Sequence, residues 1–191
     1  MLSLAEIGPA LYGAWRLAHF DPSGMRYFDR SIDGFWRSFR VAVLAAPFTA
    51  LLITLELSDR TITGGWFRVL AGEAIAYVIG WVAFPLIAFY LTVLIDRRDQ
   101  YLGFIVVYNW SALIQLGLVL PATLVYHSAL LPGAFGLAVI YAADIALLIY
   151  EWFIVRTSLN LPGFGAVGIV AIDVIVSLIV NYAGDAITQT S

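Results

Sequence analysis

The sequence predicts an all-α protein: a polytopic membrane bundle of five transmembrane helices, preceded by an amphipathic cytoplasmic or interfacial segment. Three observations carry this. Of the 191 residues, 62% are apolar or aromatic and only 12% are charged, with a mean hydropathy of +0.91; a soluble domain carries roughly 25% charged residues. Five apolar stretches each approach the ~20 residues needed to cross roughly 30 Å of hydrocarbon. The arginines fall mostly on one side of those stretches. This composition excludes a soluble globular enzyme, a disordered chain and a nucleic-acid binder.

The elements follow in chain order. Met1–Glu6 has no basic residue and Gly8-Pro9 interrupts the apolar run, so the start reads as mature protein rather than a signal peptide. Residues 1–38 form the amphipathic segment. Gly8-Pro9 suits a helix start, after which Leu11, Ala14, Trp15 and Ala18 make an apolar stripe. Asp21-Pro22 suits a second start, followed by Phe28, Ile32, Phe35 and Phe39 at helical spacing, accompanied by Arg26, Arg30, Arg37 and Arg40. Trp15, Phe28, Phe35 and Trp36 with Arg26, Arg30 and Arg37 are the candidate interfacial anchor. Two environments fit it: the headgroup layer, or the bundle's own cytoplasmic end.

Residues 39–182 form the transmembrane domain. Its spans are Phe39–Leu57, Val69–Ile95, Leu102–Tyr126, Leu130–Val155 and Phe164–Tyr182. Backbone groups in lipid must be bonded internally, so each span is expected to be an α-helix. Short links predict that successive spans are antiparallel neighbours. Pro85 and Pro121 predict kinks in the second and third spans. Residues 183–191 are expected to be a short extracytoplasmic tail. Five arginines precede the first span, Arg97 and Arg98 lie in the second-to-third link, and Arg156 ends the fourth span. Only Arg60 and Arg68 lie on the other side. By the positive-inside rule the N-terminus is cytoplasmic and the C-terminus extracytoplasmic.

Candidate chemistry rests on polar residues inside the spans. An aspartate at a span centre costs about 2.5–3.5 kcal/mol on the insertion scale, so it must face protein. Asp144, Asp173 and Gln115 fall at similar depth, and Asp173, Ser177 and Asn181 repeat at i, i+4, i+8. These predict a midplane polar cluster of Asp144, Asp173, Gln115 and Ser177. Two carboxyls in a low dielectric cannot both be ionised cheaply, so at least one is expected to carry a proton. Such a cluster is a proton or cation relay, interhelical glue or an oligomer contact. Glu151 is expected to pair with Arg156, or with Arg97 and Arg98, at the cytoplasmic side. Glu73 is expected to lie near Arg68 or Arg60.

Enzyme motifs fail. All ten basic residues are arginine, and cysteine is absent, which excludes lysine nucleophiles, disulfides and thiolate metal sites. Two histidines, His19 and His127, make a poor start for a metal site. Tyr182-Ala183-Gly184-Asp185 lacks the first glycine of an intramembrane aspartyl protease motif, and no G-x-S-x-G occurs. No enzyme, no cofactor, no metal and no nucleic-acid partner are expected.

The run Tyr150-Glu151-Trp152-Phe153-Ile154-Val155-Arg156-Thr157-Ser158-Leu159 leads through a glycine-containing turn into the last span. This region, Tyr150–Ala166, and the five-span layout resemble bacterial Yip-domain proteins, which implies a multi-pass inner-membrane protein. The eukaryotic D-L-Y and G-Y signatures of that family are absent. Arginine-only basic usage with abundant Ala, Gly and Val points to a bacterial, GC-rich source. Two functions are therefore expected to compete. One is a non-enzymatic bundle that binds or organises lipids, a membrane-protein partner or further copies of itself. The other is a small oligomeric permease or proton/cation-coupled transport subunit using midplane carboxylates.

Overall fold

The protein is represented by a computed structural model describing residues 4–58, 65–128 and 132–189. Every regular element among these residues is helical: α1 (Leu4–Ala18), a 3-10 turn (Pro22–Tyr27), α2 (Ile32–Ser38), α3 (Val41–Ser58), α4 (Trp66–Leu94), a 3-10 turn (Arg98–Gln100), α5 (Tyr101–His127), α6 (Gly133–Ser158) and α7 (Gly163–Gln189). Five helices are long and apolar enough to cross a membrane, α2 joining α3 to make the first of them. The chain is an all-α, multi-pass membrane protein. The last helix continues through residues 183–189. Gly184 presses against α4 there: a Cβ would meet the Ala76 methyl at 3.1 Å.

α5 is the centre of the bundle. It packs against α1, α2, α3 and α6, while α7 packs against α6 and α4. Its residues Gly103–Val107 and Asn109–Ser111 are all buried. The expected neighbour relation of successive spans holds for α5 with α6 and for α6 with α7, but α3 and α4 hardly touch. The cause lies in what each helix buries. α3 buries only Val41 and Ala45, at its start, and α4 is drawn to α7 instead.

Three helices end at the arginine-rich end in the same way. Phe20, Asp96 and Asn160 take left-handed φ values of 58°, 56° and 50°. The next amide in each case reaches back five residues, from Asp21 to Arg16, Arg97 to Thr92 and Leu161 to Arg156. This 6→1 bond satisfies a carbonyl that the helix end leaves open.

The leader packs onto the bundle. α1 begins ahead of Gly8-Pro9, because proline in the second turn forfeits only one bond near a helix end. Its buried stripe is Ala10, Ala14 and Leu17, and Trp15 is 54% exposed. The Phe28–Phe39 stripe is not one helix. Asp21 caps the first 3-10 turn, Phe28 is extended, and Ser31 caps α2 by accepting from the Gly34 amide at 3.0 Å. The candidate anchor therefore divides. Phe28 and Phe35 are buried in the core, the Arg30 stem covers Gly103, and Arg37 pairs with Glu6 at 3.1 Å and with Asp29. Trp15, Trp36 and Arg26 point outward.

Gly13 and Gly24 let α1 and the 3-10 turn touch. A Cβ on Gly13 would stand 2.8 Å from the Gly24 carbonyl and 2.9 Å from both Tyr27 Cβ and the Phe28 ring, whereas one on Gly8 meets nothing within 4 Å. Gly13→Ala should therefore cost about 1–3 kcal/mol, visible as a lower melting temperature in detergent, with Gly8→Ala equal to the parent or higher.

Asp21 holds the turn electrostatically. Ser23, through its nearby hydroxyl and its amide at 2.9 Å, and then the Arg16 guanidinium hold its carboxyl down at about 2. Its ordinary value is 3.8, so its contribution is complete above about pH 4 and is lost as pH falls toward 2. Acid titration of local tryptophan fluorescence should show a transition in that window that is missing in Asp21→Asn.

Candidate functional site

α5 places three successive polar side chains against three different neighbours. Tyr108 donates its hydroxyl proton to Asp173 Oδ2 on α7 at 2.8 Å. Asn109 Nδ2 donates to Ser38 Oγ on α2 at 2.9 Å, and Ser38 in turn donates to the Phe35 carbonyl at 2.7 Å. Ser111 shares a 3.0 Å hydrogen bond with Tyr150 of α6, whose hydroxyl donates to the Ala14 carbonyl of α1 at 2.9 Å. Periodicity explains the fan: residues 108, 109 and 111 are separated by about 100° and 200° around a helix.

Asp173 is 5% exposed, and the Glu151 carboxyl of α6 lies against it. Glu151 Oε1 and Asp173 Oδ1 are both fully buried with no hydrogen-bond donor. Among the described residues, no arginine or histidine stands among the partners of either group.

This revises the expected side-chain groupings. Glu151 does not pair with arginine. Five residues along a helix turn Arg156 about 140° away from it, and the Arg156 guanidinium lies over the Trp152 ring, 5.3 Å from its centroid. Arg97 donates to the Asp96 carbonyl at 3.1 Å, and Arg98 lies over the Phe89 ring at 5.9 Å. Asp144 does not join Asp173. It lies on the same side of α6 as Glu151, two turns away, but is exposed. α6 buries Tyr150, Phe153, Ile154, Val155 and Ser158 near its end, and only Gly136 and Ala143 earlier, so the level of Asp144 lies where α6 has little cover.

Gln115 and Ser177 both line a chamber of about 530 Å³ bounded by α3, α4, α5 and α7. It lies toward the arginine-poor end, as Glu56 near the end of α3, Glu73 near the start of α4 and Asn181 late in α7 show. Ser177 and Asn181 of the predicted stripe line it, and Tyr108 belongs to its wall. Asp173 stands behind Tyr108, with Glu151 beyond. Glu73 lines the chamber as well, and Tyr108 was not among the residues that the sequence singled out. Its one available signal was position: Tyr108 and Gln115 lie seven residues apart on one side of α5.

Among the described residues no group of three or more His, Asp or Glu side chains is arranged to hold a metal ion. No protein-family model matches the chain, nor does any curated protein or solved structure.

The role of Tyr108 is testable. Tyr108→Phe removes the hydroxyl that donates to Asp173 Oδ2 and should cost about 1–3 kcal/mol. Infrared spectra should also show the Asp173 carboxyl band, identified by its loss in Asp173→Asn, shifted in the Tyr108→Phe protein.

Proposed function

We propose that this chain is a small, non-enzymatic permease, or the membrane subunit of one, that couples solute movement to a proton or another cation. The observation that carries the reading is the double membership of Tyr108. One hydroxyl lies in the wall of a chamber of ligand size and is bonded to a buried carboxyl pair. A change in the proton content of the pair is felt first at Asp173, then at the hydroxyl bonded to it, then in the chamber. Ionisable groups inside a bundle that face one another, without a counter-charge and next to a cavity, are characteristic of proton relays.

The bilayer in this reading is a bacterial inner membrane, with the leader in the cytoplasm. Its supports are the eight arginines at one end of the bundle and the arginine-only basic composition. The chamber then lies in the extracytoplasmic half. The Yip-domain likeness adds a five-span layout and names no solute. Its carrier segment has work within this fold, since Tyr150 ties α1 to α5, Glu151 meets Asp173, and Trp152 Nε1 donates to the Gly163 carbonyl at 2.9 Å.

A second reading, a bundle that organises lipids or a membrane-protein partner, is favoured by the outward tryptophans Trp15 and Trp36, 54% and 66% exposed. Proton-linked flux in proteoliposomes separates the two. Asp173→Asn and Glu151→Gln should each reduce flux by tenfold or more, a loss of about 1.4 kcal/mol in coupling, while Asp144→Asn retains it. If both variants fold and carry parental flux while Trp15→Ala/Trp36→Ala loses its membrane partner, the second reading replaces the first.

A further inference from the structure

Asp144 occupies a position that lipid cannot satisfy. It is the twelfth of the 26 residues of α6, about 16 Å along the axis from Gly133 and about 21 Å from Ser158. Its side chain is exposed, and its single methylene is too short to carry the carboxyl to either interface. A carboxyl facing acyl chains at that depth is disfavoured unless protein covers it. α7 does not cover it: that helix meets Glu151 through Asp173 and then packs on α4, where Gly184 presses on Ala76. Among the described residues neither Asp144 nor Tyr141, one turn earlier, has a hydrogen-bond or ionic partner.

The residues around Asp144 form a seam. Ala134, Leu137, Tyr141, Asp144 and Leu148 follow one another at steps of three, four, three and four, and all five are exposed. That alternation is the inward row of a coiled coil, whose helices each need a facing helix. The bundle holds α6 from the opposite side, where Gly136, Ala143 and Tyr150 are buried at steps of seven. Unlike α3, α4 and α5, α6 has no interior proline, so the row runs along a helix without that cause of a kink. A single polar residue in such a row fixes register. The row is also complementary to itself, because Tyr141 offers a donor and Asp144 an acceptor one turn away. Across a twofold axis a second α6 brings its own Asp144 to Tyr141 and its own Tyr141 to Asp144, so one symmetric contact satisfies both groups of both copies. Two copies inserted in the same sense place these residues at the same depth.

We propose that a second copy of the chain covers this face. The two copies pack α6 against α6 about a twofold axis normal to the membrane, each Tyr141 hydroxyl donating to Asp144 of the other copy. The contact uses neither the chamber nor the pair of Glu151 and Asp173, so it stands or falls apart from the permease reading.

The chain has no cysteine, so single cysteines report on the contact directly. In liposomes of the full-length protein, Leu137→Cys and Leu148→Cys should each form disulfide-linked dimers on mild oxidation. Phe135→Cys on another side of α6 and Val78→Cys on α4, at positions 65% and 64% exposed, should not. Energy transfer between labelled copies, followed as lipid dilutes the protein, gives the monomer–dimer midpoint. Asp144→Leu and Tyr141→Phe should each move that midpoint about tenfold toward monomer. The double variant should be no worse than the weaker single one, because both changes remove the same pair. Asp144→Asn keeps an acceptor and should stay within about twofold of the parent. These variants are scored only where the melting temperature matches the parent, and the cysteine series decides the matter without them. Equal cross-linking from Phe135→Cys or Val78→Cys, a monomer at every dilution, or a midpoint unmoved by both Asp144→Leu and Tyr141→Phe overturns the proposal. So do cross-links in native membranes that run from Leu137→Cys and Leu148→Cys to a different protein and not to a second copy.

Discussion

In hydrocarbon a leucine gains nothing by leaving lipid for protein, so a membrane bundle is held by close packing and by polar groups that have no other partner. Here that constraint falls on one helix. α5 is buried over most of its arginine-rich half, and through Tyr108, Asn109 and Ser111 it holds α7, α2 and α6. The leader is drawn in by the same means, because Tyr150 spends its proton on the Ala14 carbonyl. A helix that offers a side-chain donor to a neighbour's backbone makes that neighbour's position specific in a way that apolar packing does not.

The cavity system is the consequence of gathering these contacts at one end. Toward the arginine-rich end the helices are joined by hydrogen bonds, aromatic contacts among Phe35, Phe39, Tyr101 and Phe89, and the leader. Toward the other end α3 and α4 hardly touch, and the space between α3, α4, α5 and α7 is lined by Gln115, Ser177, Asn181 and Glu73. The well-bonded half holds the fold, and the half where α3 and α4 stand apart holds the chamber. Tyr108 sits at the boundary between the two halves, bonded to Asp173 and lining the chamber.

Charge is distributed by the same logic. The ion pairs of Arg16 with Asp21, Arg37 with Glu6 and Arg37 with Asp29 belong to the leader. Inside the spans the carboxyls of Glu151 and Asp173 meet one another instead. Burying them beside arginine would have made a fixed salt bridge. Facing each other, they carry no such fixed partner, and the proposed proton coupling rests on that.

Much of this was legible from residue order. The five spans were, because a helix in lipid must bond its own backbone and declares itself by an unbroken apolar run of the right length. So was the stripe of Ser177 and Asn181, which lines the chamber, from a four-residue period. What residue order did not hold was rotation and neighbourhood. Asp144 and Glu151 occupy equivalent sides of α6, and only the level at which α7 approaches decides that one is exposed and the other meets Asp173. The distance of α3 from α4 was equally invisible, since a short link limits how far two helix ends can separate and says nothing of which third helix each prefers. Nor did the leader declare its docked face, because the small residues Gly13, Ala14 and Gly24 mark close approach only once a partner surface is in place. Sequence by itself determined how many times the chain crosses and which residues are too polar for lipid, as these follow from local transfer energies. Tertiary structure alone decided which polar groups meet, because that depends on the packing of helices distant in sequence.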